Sequence, residues 1–293
     1  MDAQKLIGLI NVTALVTIML SMGLQVTFAT VVASARPVGR VALGLVANYV
    51  LVPAMTLGLL RLFQPTAMVA AGFLILAVCP GAPVAPPAAT LARGNLPWAI
   101  GLMIFLAGLS AVLSPALLGS LLPWVTPDSD LSVDYLAIIR TLLVAQLLPL
   151  AVGLAVHHLA PTLTGLIARP VSMLANALLL VLIGLILVTQ FDTLAAIRVR
   201  GWVGMSVLFL GSLAVGWLCG QGDVATRKAS ALTTAARNAA VGLVIATGDF
   251  AETPAVTAVV AYGLVSMLGT LGCGVLFGRL AASSDLPGRL TAH

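Results

Sequence analysis

Nine apolar stretches, each about twenty residues or more and free of acidic side chains in its interior, follow one another along this 293-residue chain. An α-helix needs about 20 apolar residues to cross a bilayer. The stretches run roughly over 6–32, 38–62, 66–92, 96–121, 134–158, 165–190, 201–219, 226–248 and 254–281. Apolar residues make up 60 % of the chain and charged residues 8 %, against roughly 25 % charged in ordinary soluble proteins. Mean hydropathy is +1.14. Too little polar side chain is present to cover a soluble fold of this size. A membrane β-barrel would alternate apolar and polar residues with period two, which these unbroken runs do not. The expected fold class is therefore an all-α polytopic membrane protein, a single unit over 1–293 with about nine transmembrane helices.

The net charge of +5 does not point to nucleic acid, because the basic residues sit between apolar runs, as topology determinants do. With nine crossings the termini lie on opposite sides. One side carries Arg36, Arg40, Arg93, Arg169, Arg227, Lys228, Arg279 and Arg289, the other Lys5, Arg61, Arg198 and Arg200. The positive-inside rule makes the first side cytoplasmic and the N-terminus external. The 123–134 loop, with Asp128 and Asp130, reads as an exposed turn. No cleavable signal peptide is expected, because the first run is too long for one.

Two runs cannot be plain helices. The third contains Cys79-Pro80-Gly81-Ala82-Pro83-Val84-Ala85-Pro86-Pro87. Each proline removes a backbone donor and clashes with the preceding turn, so a helix break is expected here, shielded by protein or lining an aqueous cavity. The eighth places Arg237 and Asn238 midway along an apolar segment. A charge at the bilayer centre costs at least ~2.5–3.5 kcal/mol and marks a functional site. Spans 1–4 and 6–9 superpose in order with these two segments in register. An odd span between them inverts one unit relative to the other. That is the pattern of an inverted-repeat transporter with two discontinuous helices crossing at the midplane.

Several segments resemble the bile acid:sodium symporter family. They are Met19-Leu20-Ser21-Met22-Gly23-Leu24, then Gly44-Leu45-Val46-Ala47-Asn48-Tyr49 with Pro53, then Cys79-Pro80-Gly81 followed by Leu91-Ala92-Arg93-Gly94. Arg237-Asn238 stands where the family usually has Gln-Asn. The resemblance implies a nine-helix member with a panel domain (about 6–32 and 134–190) and a core domain (about 38–121 and 201–281). Substrate would sit between them, beside two crossover helices, in a protein of the bacterial plasma membrane. It implies as cargo a small organic anion: bile-acid-like, steroid-conjugated, or a carboxylate such as pantoate or pyruvate. The substrate or crossover residues it points to are Arg237, Asn238, Thr233, Thr234, Asn48, Pro80, Gly81, Pro83 and Pro86.

The family's sodium ligands are altered. Its Ser-Asn pair becomes Ala85-Pro86, two hydroxyl ligands become Ala99 and Met103, and a key glutamate becomes Thr233. Hard cations want oxygen ligands, and four of these five positions have no side-chain oxygen. No metal is expected at them, and no cofactor motif is present. Arg237 is read as a permanent replacement for the cation, because a guanidinium stays protonated and carries five donors.

Other polar residues divide between site and packing readings. Asn11, Gln25, Gln146 and Pro149 could face the cleft between domains or bond helix to helix. Arg140 could snorkel outward, and His157 and His158 read as interfacial. Trp98, Trp124, Trp202 and Trp217 suggest an interfacial belt. The cysteines Cys79, Cys219 and Cys273 read as packing residues. Three alternatives stay open: a sodium symporter with a rebuilt site, an efflux carrier for a metalloid oxyanion or weak acid that uses Cys79, and a channel. An intramembrane enzyme has no support, since no paired carboxylate, His-Glu motif or Ser-His arrangement occurs in the spans. The oligomeric state is not legible.

Overall fold

The structure, a computed structural model, describes residues 3–127, 133–189, 191–195 and 197–284. Asp128, Asp130 and Arg289 lie outside them. In chain order the helices are α1 (Ala3–Leu24), α2 (Phe28–Ala35), α3 (Val38–Phe63), α4 (Ala67–Ala77), α5 (Ala85–Leu91), α6 (Leu96–Leu121), α7 (Tyr135–Leu159), α8 (Pro161–Thr189), α9 (Phe191–Ala195), α10 (Val199–Cys219), α11 (Val224–Ala235), α12 (Ala239–Asp249) and α13 (Pro254–Ser284). Among the described residues six of them, α3, α6, α7, α8, α10 and α13, are long and apolar enough to cross a membrane, and α1 with α2 makes a seventh if the bent pair is one span. Leu62, Leu166, Leu180, Val188 and Leu218 are all exposed. A stable chain keeps so much aliphatic surface outside only where lipid covers it. This is an all-α polytopic membrane protein.

Three expected spans differ from continuous helices. The run over 6–32 is apolar throughout, but α1 stops at Leu24 and the chain turns 84° into α2. Thr27 sets the turn: its Oγ1 accepts the Thr30 N–H at 3.0 Å and caps α2. His157 Nδ1 lies 2.6 Å from the carbonyl of Leu24, at the end of α1, so this histidine holds the bend rather than only facing the interface. The run over 66–92 is two short helices, α4 and α5, separated by 78–84, and the run over 226–248 is α11 and α12, separated by 236–238.

The long helices α3 and α7 share a second device. Each widens into a π-turn, Ala47–Leu51 in α3 and Leu143–Leu147 in α7. Each π-turn ends two residues before a proline, Pro53 and Pro149. Proline supplies no N–H and crowds the carbonyl four residues back, so the helix opens by one residue to pass it. The widened turns carry two buried amides, Asn48 and Gln146.

Helix α1 packs against α7 and α8 and also touches α12. Its crossing with α7 is at backbone contact: a Cβ added at Gly23 would come within 2.8 Å of the Leu154 nitrogen, and one at Gly153 within 2.8 Å of the Leu24 nitrogen. Helix α8 is peripheral, with only 11 % of its apolar window buried inside the chain, against 50 % for α6. The halves α4 and α5 both pack on α13, and α11 packs on α10, α6 and α5. Asp223 caps α11 by accepting the Thr226 N–H at 2.9 Å. The Thr226 hydroxyl and N–H, with Arg40 nearby, hold the Asp223 carboxyl below its ordinary range. Lys228 spans α5 and α13, donating to the carbonyls of Ala92 at 3.0 Å and Phe277 at 3.2 Å. Trp98, in the first turn of α6, faces protein rather than lipid. Its ring is buried and its indole N–H donates to Ser230 Oγ at 2.8 Å, since a buried indole needs a partner for its N–H.

Candidate functional site

The two helix breaks lie against each other. Pro80 and Arg237 pair as an isolated antiparallel bridge, and the Asn238 N–H donates to the Cys79 carbonyl at 2.9 Å. Unpaired backbone polar groups in lipid each cost several kcal/mol, so the partners of this opened backbone matter. Val78 O accepts from Ser114 Oγ of α6 at 2.5 Å. Gly81 O accepts from Asn238 Nδ2 at 3.3 Å. Ala235 O accepts from Ser266 Oγ of α13 at 2.8 Å, and the same hydroxyl oxygen receives the Arg237 N–H at 2.8 Å. Asn238 Oδ1 caps α12 through the Val241 N–H at 3.3 Å.

Arg237 completes the set. Its side chain is buried. Nη1 donates to Ala77 O, in the last turn of α4, at 3.1 Å, and Nη2 donates to Thr234 O, in the last turn of α11. Nη2 also donates to Asn48 Oδ1 at 3.0 Å. A guanidinium thus sits at the negative ends of two half-helices, where a positive charge is favoured. Asn48 is held in turn, with Nδ2 donating to Gly44 O at 2.9 Å and to Thr234 Oγ1 at 3.1 Å. The Nε of Arg237 is buried with no hydrogen-bond partner among the described residues.

Beside the bridge lies a cavity of about 340 Å³. Its walls are the end of α1 (Ile18, Ser21, Met22) with Gln25 just past it, the middle of α8 (Ser172, Ala175, Asn176) and the first turns of α6 (Ile100, Met103). The broken segments close it with Ala82, Pro83, Pro86, Arg237, Asn238 and Ala239. A concave, mostly apolar space with a few convergent polar groups is the usual form of a small-molecule site.

A family model matches residues 12–197, described as the Sodium Bile acid symporter family. The matched stretch is more than half of the chain. The chain belongs to the sodium bile acid symporter family. Membership makes it a membrane transporter and not an enzyme. The segment that carries Arg237 lies beyond the matched residues. No curated protein matches the chain.

The residues singled out from the sequence fall into distinct places in this sodium bile acid symporter family member. Pro83, Pro86, Arg237 and Asn238 line the cavity. Pro80 and Gly81 lie within the break behind it, and Gly81 takes φ +84° against α6. Asn48 and Thr234 are buried supports of Arg237. Thr233 is buried, its hydroxyl has no partner among the described residues, and it does not line the cavity. At the family's sodium positions, Ala85 and Ala99 are fully buried, while Met103 and Pro86 reach the cavity wall. Gln25 faces the cavity. Gln146 instead bonds α7 to α6, donating to Ala107 O and to Ser110 Oγ, the latter at 2.7 Å. Asn11 is buried, and neither amide atom has a partner among the described residues. Cys79 is fully buried and is not on the cavity wall. Sequence reasoning missed Ser114 and Ser266, which receive the opened backbone, and Asn176 and Ser172 on the α8 wall. An asparagine inside an apolar run was the only available signal for Asn176.

Proposed function

We propose that the chain moves a small organic anion by alternating access, without family-type sodium sites, with Arg237 standing in the place of the cation. The observation that carries this reading is the seat of the guanidinium. It engages the Ala77 and Thr234 carbonyls and the Asn48 amide oxygen, the kind of oxygens that coordinate ions at half-helix ends. A sodium ion beside it would find those oxygens taken and would be repelled. Two unit charges 4 Å apart interact by ~4 kcal/mol at an effective dielectric of about 20. Ala85, Pro86, Ala99 and Met103 offer no side-chain oxygen, and Thr233 offers one hydroxyl where the family has a carboxylate. The residues present do not fit a family-type sodium ion.

In this reading α1, α7 and α8 form the panel, and the other long helices with the two broken pairs form the core. Counting α1 and each broken pair as single crossings brings the six long helices to nine. The halves are inverted repeats, and the N-terminus is external in a bacterial plasma membrane. The cavity lies at the panel–core seam, toward the end that carries Arg36, Arg93 and Arg169. Three features suit an anion there: the free Nε–H of Arg237, the positive end of α12, and neutral donors from Asn176, Ser172 and Ser21. The guanidinium binds and orients the anion, while apolar walls on α1 and α6 exclude water from it. The Gln146 bonds hold the far side of the seam closed. Panel rocking against core would open that side and close this one. Arginine does not titrate, so the mechanism is uniport or anion exchange. The cargo class is bile-acid-like, steroid-conjugated or a small carboxylate.

Uptake of labelled taurocholate, pantoate and pyruvate into proteoliposomes in choline buffer tests the reading. At least one anion should enter with wild type and not with Arg237→Gln. Uptake by wild type that requires sodium contradicts it.

A further inference from the structure

A second and larger cavity, about 560 Å³, lies away from α1, α7 and α8, among α3, α4, α10 and α13. Its floor is aliphatic and aromatic, with Leu60, Phe73, Met205 and Leu208 on it. Its wall includes Arg198 and Arg200, both exposed, and no acidic residue among the described ones. Arg200 rests over the Phe63 ring at 5.8 Å and donates to Leu62 O at 3.3 Å, which fixes one guanidinium at the rim.

The backbone adds to the same charge. Helices α4 and α10 begin at this cavity, at Ala67 and Val199, and neither start is closed by a side-chain cap. Helix α13 begins there too, with Pro254 on the wall. Three positive helix ends and two guanidiniums therefore surround the opening of an apolar cleft. The helices that form it are membrane-spanning or short apolar segments, and their ends lie at the depth of headgroups. A soluble anion would use the rim and leave the floor empty. An amphiphile with an acyl chain and an anionic head satisfies both.

We propose that this cleft binds an anionic phospholipid from the leaflet that borders Arg61, Arg198 and Arg200. Its acyl chain lies against Leu60, Phe73, Met205 and Leu208, and its phosphate faces Arg198 and Arg200. Occupied in this way, the cleft ties α3, α4, α10 and α13 together at one end. The site is separate from the Arg237 cavity, and the proposal does not depend on what that cavity carries.

Native mass spectrometry of the delipidated full chain, titrated with phosphatidylglycerol or phosphatidylcholine, tests it. Each arginine near a membrane surface is worth ≈ 1 kcal/mol toward an anionic lipid, so wild type should retain one phosphatidylglycerol about 30-fold more tightly than phosphatidylcholine. The R198Q/R200Q pair should lose that preference while keeping its lipid-free thermal midpoint. Gly204→Leu should weaken both lipids, because a Cβ there meets only the Phe63 ring, at 3.7 Å, and the longer side chain narrows the cleft. Equal retention of the two lipids by wild type overturns the proposal. So does retention of oleate in preference to phosphatidylglycerol, which would mean a free fatty-acid site.

Discussion

Arg237 Nη2 donates to Asn48 Oδ1 across 3.0 Å, joining residues 189 positions apart in the chain. Asn48 sits in the π-turn of α3 and Arg237 in the break between α11 and α12. The opening of one helix ahead of Pro53 therefore meets the opening of another. Asn48→Ala strips the guanidinium of a neutral acceptor and Thr234 Oγ1 of a donor. Leaving buried polar groups unpaired costs about 1–3 kcal/mol, so the thermal midpoint should fall. Asn48→Asp should retain the fold but weaken anion binding, because a carboxylate beside Arg237 neutralises it. The pair of variants, compared by thermal unfolding and by anion-induced stabilisation, separates the two effects.

Gly81 carries the sharpest backbone constraint. Its φ is +84°, and a Cβ there would lie 2.5 Å from the Ala107 nitrogen of α6. The left-handed conformation alone costs an L side chain roughly 1–2 kcal/mol, and the contact is with backbone that cannot rotate away. Gly81→Ala should therefore lose transport and lower the thermal midpoint. Wild-type uptake from this variant would show that the break does not hold the geometry described.

The breaks and the buried charge were legible because they violate local rules. Four prolines in 80–87 cannot continue a helix, and an arginine in an apolar run has no bland solvent-facing reading. What was not legible depends on partners distant in sequence. Ser114 and Ser266 are unremarked serines in apolar helices until the carbonyls of Val78 and Ala235 are brought to them. Hydropathy cannot tell an indole that faces lipid near a span end from one turned inward onto a serine, as Trp98 is turned onto Ser230. The bend after Leu24 was hidden by apolar residues that continue past it, and Thr27 was its one signal.

Gln146 links α7 to α6 through Ala107 O and Ser110 Oγ. Two hydrogen bonds at about 0.5–1.5 kcal/mol each shift a two-state equilibrium by roughly 5- to 150-fold. Gln146→Ala should favour the conformation open on the far side. Thiol labelling of single cysteines placed near the Asp249 end of α12, away from the Arg237 cavity, should rise in this variant. Unchanged labelling would mean that these bonds do not hold the seam.

Cys79 is fully buried and absent from the cavity wall. Cys79→Ser should leave anion transport within about twofold of wild type, since the change is small and no thiol chemistry is used. Loss of transport together with loss of arsenite protection would favour a metalloid carrier instead.

The central claim is that a fixed guanidinium does the work of the coupling ion. Thermal unfolding of the purified protein in sodium and in choline buffer, with and without the transported anion, tests it most directly. A ligand that binds only the native state adds about 2.7 kcal/mol at a concentration 100-fold above its Kd. The account predicts that sodium leaves wild type unchanged, that the anion raises the midpoint equally in both buffers, and that Arg237→Gln abolishes the anion response. A midpoint raised specifically by sodium, with anion binding strengthened by it, would contradict the account.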